Sequence, residues 1–127
     1  SRYSVKDLYL DTLNYSAGTT ASDALRMGCP VLTCMGESFS SRLGGSLLKA
    51  LDLPELITES REDYESHAIH LAKNPSKFSA LKQKLVINKS SQLLFDSQQS
   101  TRSIESAYSS IYQRSLDSEQ PENIFID

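Results

Sequence analysis

Short apolar runs without polar alternation mark the first third of this chain, and apolar residues at helical spacing mark everything beyond Ser60. Val5 to Leu10 reads as a strand with Asp11 at its carboxyl end. Thr20 to Met27 reads as a short helix. Gly28, suited to a left-handed position just past a helix end, closes it, and Pro30 follows. Val31-Leu32-Thr33-Cys34-Met35 is a short apolar run with β-branched Val31 and Thr33 and no polar alternation, the pattern of a parallel strand buried on both faces. These pieces make one βαβ unit.

The second helix is expected from about Phe39 to Leu51, with Leu43, Leu47, Leu48 and Leu51 along one face. Gly44 and Gly45 interrupt it at about 1 kcal/mol each relative to alanine, which close packing against a neighbouring backbone would offset. Leu53 to Ile57 is a turn leading into a brief strand. Ser60-Arg61-Glu62-Asp63 resembles a capping box, and Tyr64, Ala68, Leu71 and Ala72 keep helical spacing as far as Asn74. Pro75 suits the first turn of the next helix, which turns Phe78, Leu81 and Leu85 inward. A last helix starts near Ser97 and carries a stripe of Ile104, Ala107, Tyr108, Ile111 and Tyr112. From Ser115 a frayed, acidic tail is expected, with a small apolar patch at Ile124, Phe125 and Ile126. The order β-α-β-α-β followed by helices places the chain in the α/β class, with residues 1–115 as one lobe and 116–127 as a polar tail.

Composition narrows this further. A chain of 127 residues with 39% hydrophobic and 23% charged residues suits one globular core. The net charge of −3 argues against a nucleic-acid partner. No apolar run approaches the ~20 residues of a membrane helix, and the start lacks a basic-then-apolar leader. Cys29 and Cys34 stand at either end of one expected strand, ~17 Å apart when extended, which is too far for a disulfide. Reduced thiols suggest a cytoplasmic setting, in which the glycosylation patterns at Asn14 and Asn88 are coincidental. A first residue of Ser rather than Met suggests a piece of a longer protein.

The densest chemistry lies in Ser16-Ala17-Gly18-Thr19-Thr20-Ala21-Ser22-Asp23, between the first strand and the first helix. A loop that leaves a strand and opens a helix presents unpaired N–H groups at the positive end of the helix dipole, a natural place for a phosphate. Thr20 and Asp23 also stand at the spacing of a capping box, in which each side chain satisfies the other's backbone N–H. A capped turn can still be relieved by an anion, so the two readings coexist. Neither Gly-x-Gly-x-x-Gly nor a Walker A pattern occurs. Glu37 follows the second strand on the same sheet edge, where it serves either a ligand or the start of the next helix. His67 and His70 lack a third metal ligand and read as solvated surface residues. Lys73, Lys77, Lys82, Lys84 and Lys89 have no aromatic interleaving and read as a solvated face. No nucleophile elbow organises a Ser-His-Asp triad.

An ordered series of short motifs carries more weight than any one of them. Asp11-Thr12-Leu13, Thr19 to Leu25, Gly28-Cys29-Pro30-Val31 and Met35-Gly36-Glu37-Ser38 come first. Ser41-Arg42, Pro54-Glu55-Leu56-Ile57, Tyr64-Glu65 and Leu94-Phe95-Asp96 follow. This series resembles the carboxyl-terminal part of the O-GlcNAc transferase and SPINDLY-type glycosyltransferase family over residues 3 to 112. The resemblance implies the later half of a Rossmann-like nucleotide-binding lobe in a GT-B architecture, usually behind tetratricopeptide repeats. It implies a UDP-sugar donor, protein Ser or Thr acceptors and no metal. By position, Gly18, Thr19 and Thr20 would meet the diphosphate and Asp23 the ribose, with no catalytic residue carried by this stretch itself. Two departures stand out. Gly18 replaces the usual histidine before the Thr-Thr pair, and Gly44-Gly45 replaces what is commonly a pair of alanines. The family's diphosphate-binding lysine and acceptor lobe fall outside these residues, so a complete active site is not expected from them alone. The departures leave open a degenerate, non-catalytic member that serves protein interaction.

Overall fold

The computed structural model describes residues 7–125. It divides into two compact units, Ser1–Phe95 and Asp96–Asp127. Val5 and Lys6, the expected start of the first strand, and Ile126 of the terminal apolar patch lie outside the described residues.

In the first unit three short strands, β1 (Tyr9–Leu10), β2 (Val31–Cys34) and β3 (Ile57–Thr58), form a parallel sheet in the order β1-β2-β3. Tyr9 lies opposite Val31 and Thr33 opposite Ile57. Parallel neighbours require crossovers, and α1 (Thr19–Arg26) and α2 (Leu43–Ala50) supply them. The unalternating run in β2 behaves as its pattern implies: it is the central strand, and Val31, Leu32 and Thr33 are fully buried. Leu25, Leu48, Leu51, Leu53, Leu56, Leu71 and Leu85 close around it. Burying each such side chain contributes roughly 1.5–3 kcal/mol.

Local signals set the element ends. Gly28 adopts φ +79°, and its N–H donates to the Leu25 carbonyl at 3.0 Å, ending α1 as a left-handed residue does with least strain. The Ser60 hydroxyl accepts from Asp63 N–H at 3.0 Å and donates to the Asp63 carboxylate at 2.7 Å, opening α3 (Arg61–Lys73). Pro75 begins α4 (Pro75–Ser91), which buries Leu85 and packs Phe78 and Leu81 against the core.

Elsewhere tertiary contacts reshape the expectation. The helix expected from Phe39 starts as a 3-10 turn, Phe39–Arg42, capped by Ser38, and becomes α-helical only at Leu43. The tighter turn buries Ser41 and lets its carbonyl accept the Gly36 N–H at 3.3 Å. The lysines of α4 do not form a purely solvated face. Lys82 meets Asp7 at 3.1 Å, Lys84 meets Glu55 at 2.9 Å, and Lys89 donates to the Arg26 carbonyl at 3.3 Å.

The second unit contains α5 (Ser97–Leu116), opened by Asp96, whose carboxylate accepts the Gln99 N–H at 2.9 Å. None of its residues is buried, so the stripe of Ile104, Tyr108, Ile111 and Tyr112 stands exposed. In the acidic segment after it, Arg114 pairs with Glu119 at 3.1 Å and with Glu122, and donates to the Gln120 carbonyl.

Candidate functional site

At the carboxyl end of β1 the chain buries Asp11, which is 4% exposed. A buried carboxylate needs donors, and this one has four. Its Oδ1 accepts from the N–H groups of Thr12 (2.8 Å) and Ala17 (2.7 Å), and its Oδ2 accepts from the hydroxyls of Ser16 (2.6 Å) and Thr33 (2.7 Å). Ser16 Oγ in turn accepts the Gly44 N–H at 2.7 Å, joining the cluster to the start of α2. The Tyr64 hydroxyl donates to the Asp11 carbonyl at 2.8 Å. Burial, and then the nearby Asp11 charge, raise the Tyr64 pKa above its usual 10.0. The loop after β1 is thereby pinned at both ends and tied to β2, α2 and α3.

This cluster accounts for Gly44, and Met35 stands against its neighbour Gly45. A Cβ on Gly44 would stand 2.5 Å from Asp11 Oδ2 and 2.7 Å from Ser16 Oγ, and one on Gly45 would stand 2.8 Å from Met35 Sδ. The close approach is therefore to side chains rather than to a neighbouring backbone.

The pinned loop delivers Gly18, Thr19 and Thr20. The capping box expected from Thr20 and Asp23 does not form: α1 begins at Thr19, Gly18 is its N-cap, and among the described residues no side chain caps it. The reason lies in the cluster. Asp11 holds Ser16 and Ala17, which sets the chain direction two residues before the Thr-Thr pair and starts the helix early. Thr19 and Thr20 sit exposed in the first turn, whose leading N–H groups have no intrahelical acceptor. Thr20 Oγ1 lies 3.2 Å from the Tyr9 hydroxyl, and Asp23 is exposed one turn into the helix. At Gly18 the backbone has φ −87°, and among the described residues an added Cβ would meet only Leu43 Cδ1, at 3.6 Å.

The loop after β2 adjoins this turn through Ser16 N–H, which donates to the Ser40 carbonyl at 2.9 Å. Beside it opens a cleft of about 340 Å³ lined by Asn14, Cys34, Glu37, Ser38, Glu59 and Arg61, among others. Glu37 is thus on the expected sheet edge, exposed and next to the Ser38 cap. Cys29 and Cys34 are both reduced thiols rather than a disulfide. His67 departs from the surface reading. Its Nε2 is buried without a hydrogen-bond partner among the described residues, while His70 is exposed beside Asn74 and Lys77. Among the described residues no three His, Cys, Asp or Glu side chains converge as a metal site, and no helix is long and apolar enough to cross a membrane.

Sequence reasoning placed Asp11 at the strand end but missed its role as the hub of the loop. The available signal was the conjunction of an acid at a strand end, Ser16 five residues on, and two adjacent glycines in a helix.

Comparison with known proteins bears on what the turn serves. The profile of Glycosyl transferase family 41 matches residues 1–104. The chain is 36% identical over 119 residues to the tomato (Solanum lycopersicum) probable UDP-N-acetylglucosamine–peptide N-acetylglucosaminyltransferase SPINDLY. That match covers 94% of this chain and 13% of the relative. It is 32% identical over 113 residues to the UDP-N-acetylglucosamine–peptide N-acetylglucosaminyltransferase of Caenorhabditis elegans, covering 89% of this chain and 10% of that protein. A solved structure of a mutant Thermobaculum terrenum O-GlcNAc transferase superposes with a TM-score of 0.77 at 35% identity, over 84% of this chain and 20% of that one. The chain thus spans about an eighth of the length of the curated relatives, 13% in the tomato protein. Its parallel sheet and carboxyl-terminal helices are the later half of the Rossmann-like nucleotide-binding lobe of a GT-B glycosyltransferase. The chain belongs to glycosyl transferase family 41, of the O-GlcNAc transferase and SPINDLY type.

Proposed function

We propose that this chain is the part of a nucleotide-sugar-dependent protein O-glycosyltransferase that holds the UDP diphosphate and ribose of the donor. The observation that carries this reading is the uncapped amino-terminal end of α1 at the carboxyl edge of a parallel sheet. In open α/β sheets ligands bind in that position. The backbone at Gly18 and the N–H and hydroxyl groups of Thr19 and Thr20 meet the diphosphate oxygens, and the Asp23 carboxylate accepts from a ribose hydroxyl. As the sugar leaves, negative charge grows on the nucleotide phosphate, and donors fixed there beforehand stabilise it. No metal ion is required: helix amides and hydroxyls supply the compensating dipoles. The protein acceptor is held by the other lobe and by upstream repeats of the full-length protein, which works in the cytoplasm.

Calorimetric titration of UDP into the full-length protein tests the assignment. Thr20→Ala and Asp23→Ala each weaken binding by about tenfold, the loss of one hydrogen bond to a charged partner. UDP binding unchanged in both variants would sink it.

One observation favours a second reading, a non-catalytic member acting as a protein-interaction module. Gly18 stands where the resembling family usually has histidine, which removes an imidazole donor to the diphosphate. Turnover of a sugar nucleotide by the full-length protein decides against that reading.

A further inference from the structure

Thr20 differs from several other hydroxyl residues of the helices in where its oxygen points. Ser46, Thr101 and Ser109 turn back and donate to the carbonyls of Arg42, Ser97 and Glu105, four residues earlier, at 2.8–3.0 Å. Thr20 stands in the first turn, where no helical carbonyl lies behind it to accept. Among the described residues its hydroxyl has one partner, the phenol of Tyr9 at 3.2 Å. Tyr9 belongs to β1, and its backbone N–H donates to the Pro30 carbonyl at 2.8 Å, so the phenol is presented from a fixed strand rather than a mobile loop.

We propose that Tyr9 is a positioning residue for the anion site: its phenol donates to Thr20 Oγ1 and so directs the Thr20 proton toward a phosphate oxygen of the bound nucleotide. This rests on the diphosphate reading above. The direction of the bond follows from the ligand's chemistry. A phosphate diester or diphosphate oxygen offers only lone pairs, so a threonine that binds it must give its single proton to it. Thr20 Oγ1 then has lone pairs left, and the phenol, a stronger donor than an aliphatic alcohol, fills one of them. Two hydroxyls in series to an anion also polarise each other, which strengthens the outer bond. Tyr9 acts through Thr20 and touches no reacting atom.

The test is a double-mutant cycle in the full-length protein, read by calorimetric affinity for UDP and for uridine. Tyr9→Phe removes one oxygen and keeps the ring. It weakens UDP binding by about three- to tenfold, the span of one neutral hydrogen bond, and leaves uridine binding unchanged because uridine has no phosphate. In a Thr20→Ala background the same change has no further effect on UDP. An equal loss for uridine and UDP, or an equal loss with and without Thr20, overturns the proposal and assigns Tyr9 a structural role. Wild-type UDP affinity in Tyr9→Phe while Thr20→Ala is weakened overturns it and leaves the diphosphate reading standing. If neither variant changes UDP affinity, the diphosphate assignment of Thr20 falls, and the role of Tyr9 with it.

Discussion

Alanine at Gly44 sets two effects of opposite sign against each other within one helix. In an ordinary helix interior the change from glycine to alanine stabilises by about 1 kcal/mol, because glycine loses more backbone entropy. At Gly44 the new Cβ falls 2.5 Å from Asp11 Oδ2, 2.7 Å from Ser16 Oγ and 3.0 Å from Thr33 Oγ1. Those atoms are buried and bonded to one another, so they cannot swing away without breaking the cluster. The change sacrifices the bond from Gly44 N–H to Ser16, about 0.5–1.5 kcal/mol, and one bond to a charged carboxylate, about 1.5–3 kcal/mol. The net expectation is a loss of about 1–3.5 kcal/mol. Gly45 is the internal control. Its Cβ would meet Met35 Sδ at 2.8 Å, and a methionine side chain can move aside, so the helix-propensity gain offsets that shift and Gly45→Ala stays near neutral. Urea unfolding midpoints of the two variants, with hydrogen exchange of residues 43–50 in the full-length protein, measure the difference. A Gly44→Ala protein as stable as the wild type or more so would refute the reasoning. The resembling family commonly carries alanines at both positions, so the experiment also asks whether the Asp11 cluster explains the glycine at position 44 of this chain.

Asp11→Asn turns an acceptor-only group into one with an NH2 facing two donors. The variant is expected to lose about 2–4 kcal/mol, read as a lower thermal midpoint together with faster exchange of the Ala17 amide. Tyr64 has a pKa raised by burial first and by the Asp11 charge second. Its folded value exceeds the unfolded one near 10, so its contribution is intact below pH 10 and is lost as pH rises through the raised value. Absorbance titration near 295 nm shows a late-ionising tyrosine in the wild type that is missing in Tyr64→Phe, and the stability difference between the two narrows in the same alkaline window. Gly18→His is accommodated, since φ is −87° and the nearest atom to an added Cβ lies 3.6 Å away. Its thermal midpoint stays at the wild-type value while UDP affinity rises, as calorimetry would register.

Much of the fold was legible because it rests on near neighbours in the sequence. Gly28 stops α1 through its own left-handed backbone, Pro75 opens α4 through its fixed φ, and Ser60 reaches an amide three residues away. The apolar run of β2 needed no partner to declare that both its faces are covered. The β-α-β-α-β order and the family resemblance followed from such local signals, read in series. The position of α1's first turn did not. It is set by Asp11, whose donors come from Ser16, Ala17 and Thr33 and whose cluster extends to Gly44. Spacing made Thr20 and Asp23 a capping pair, yet the loop that Asp11 fixes starts the helix at Thr19 and leaves its end open. The Tyr9–Thr20 bond and the lysine pairings of α4 likewise join residues distant in sequence. Periodicity along a chain reports which side of an element avoids water; it does not report what meets that side. The strand register and the crossovers decide the partners, and here they turned an acid at a strand end into the hub of the candidate site.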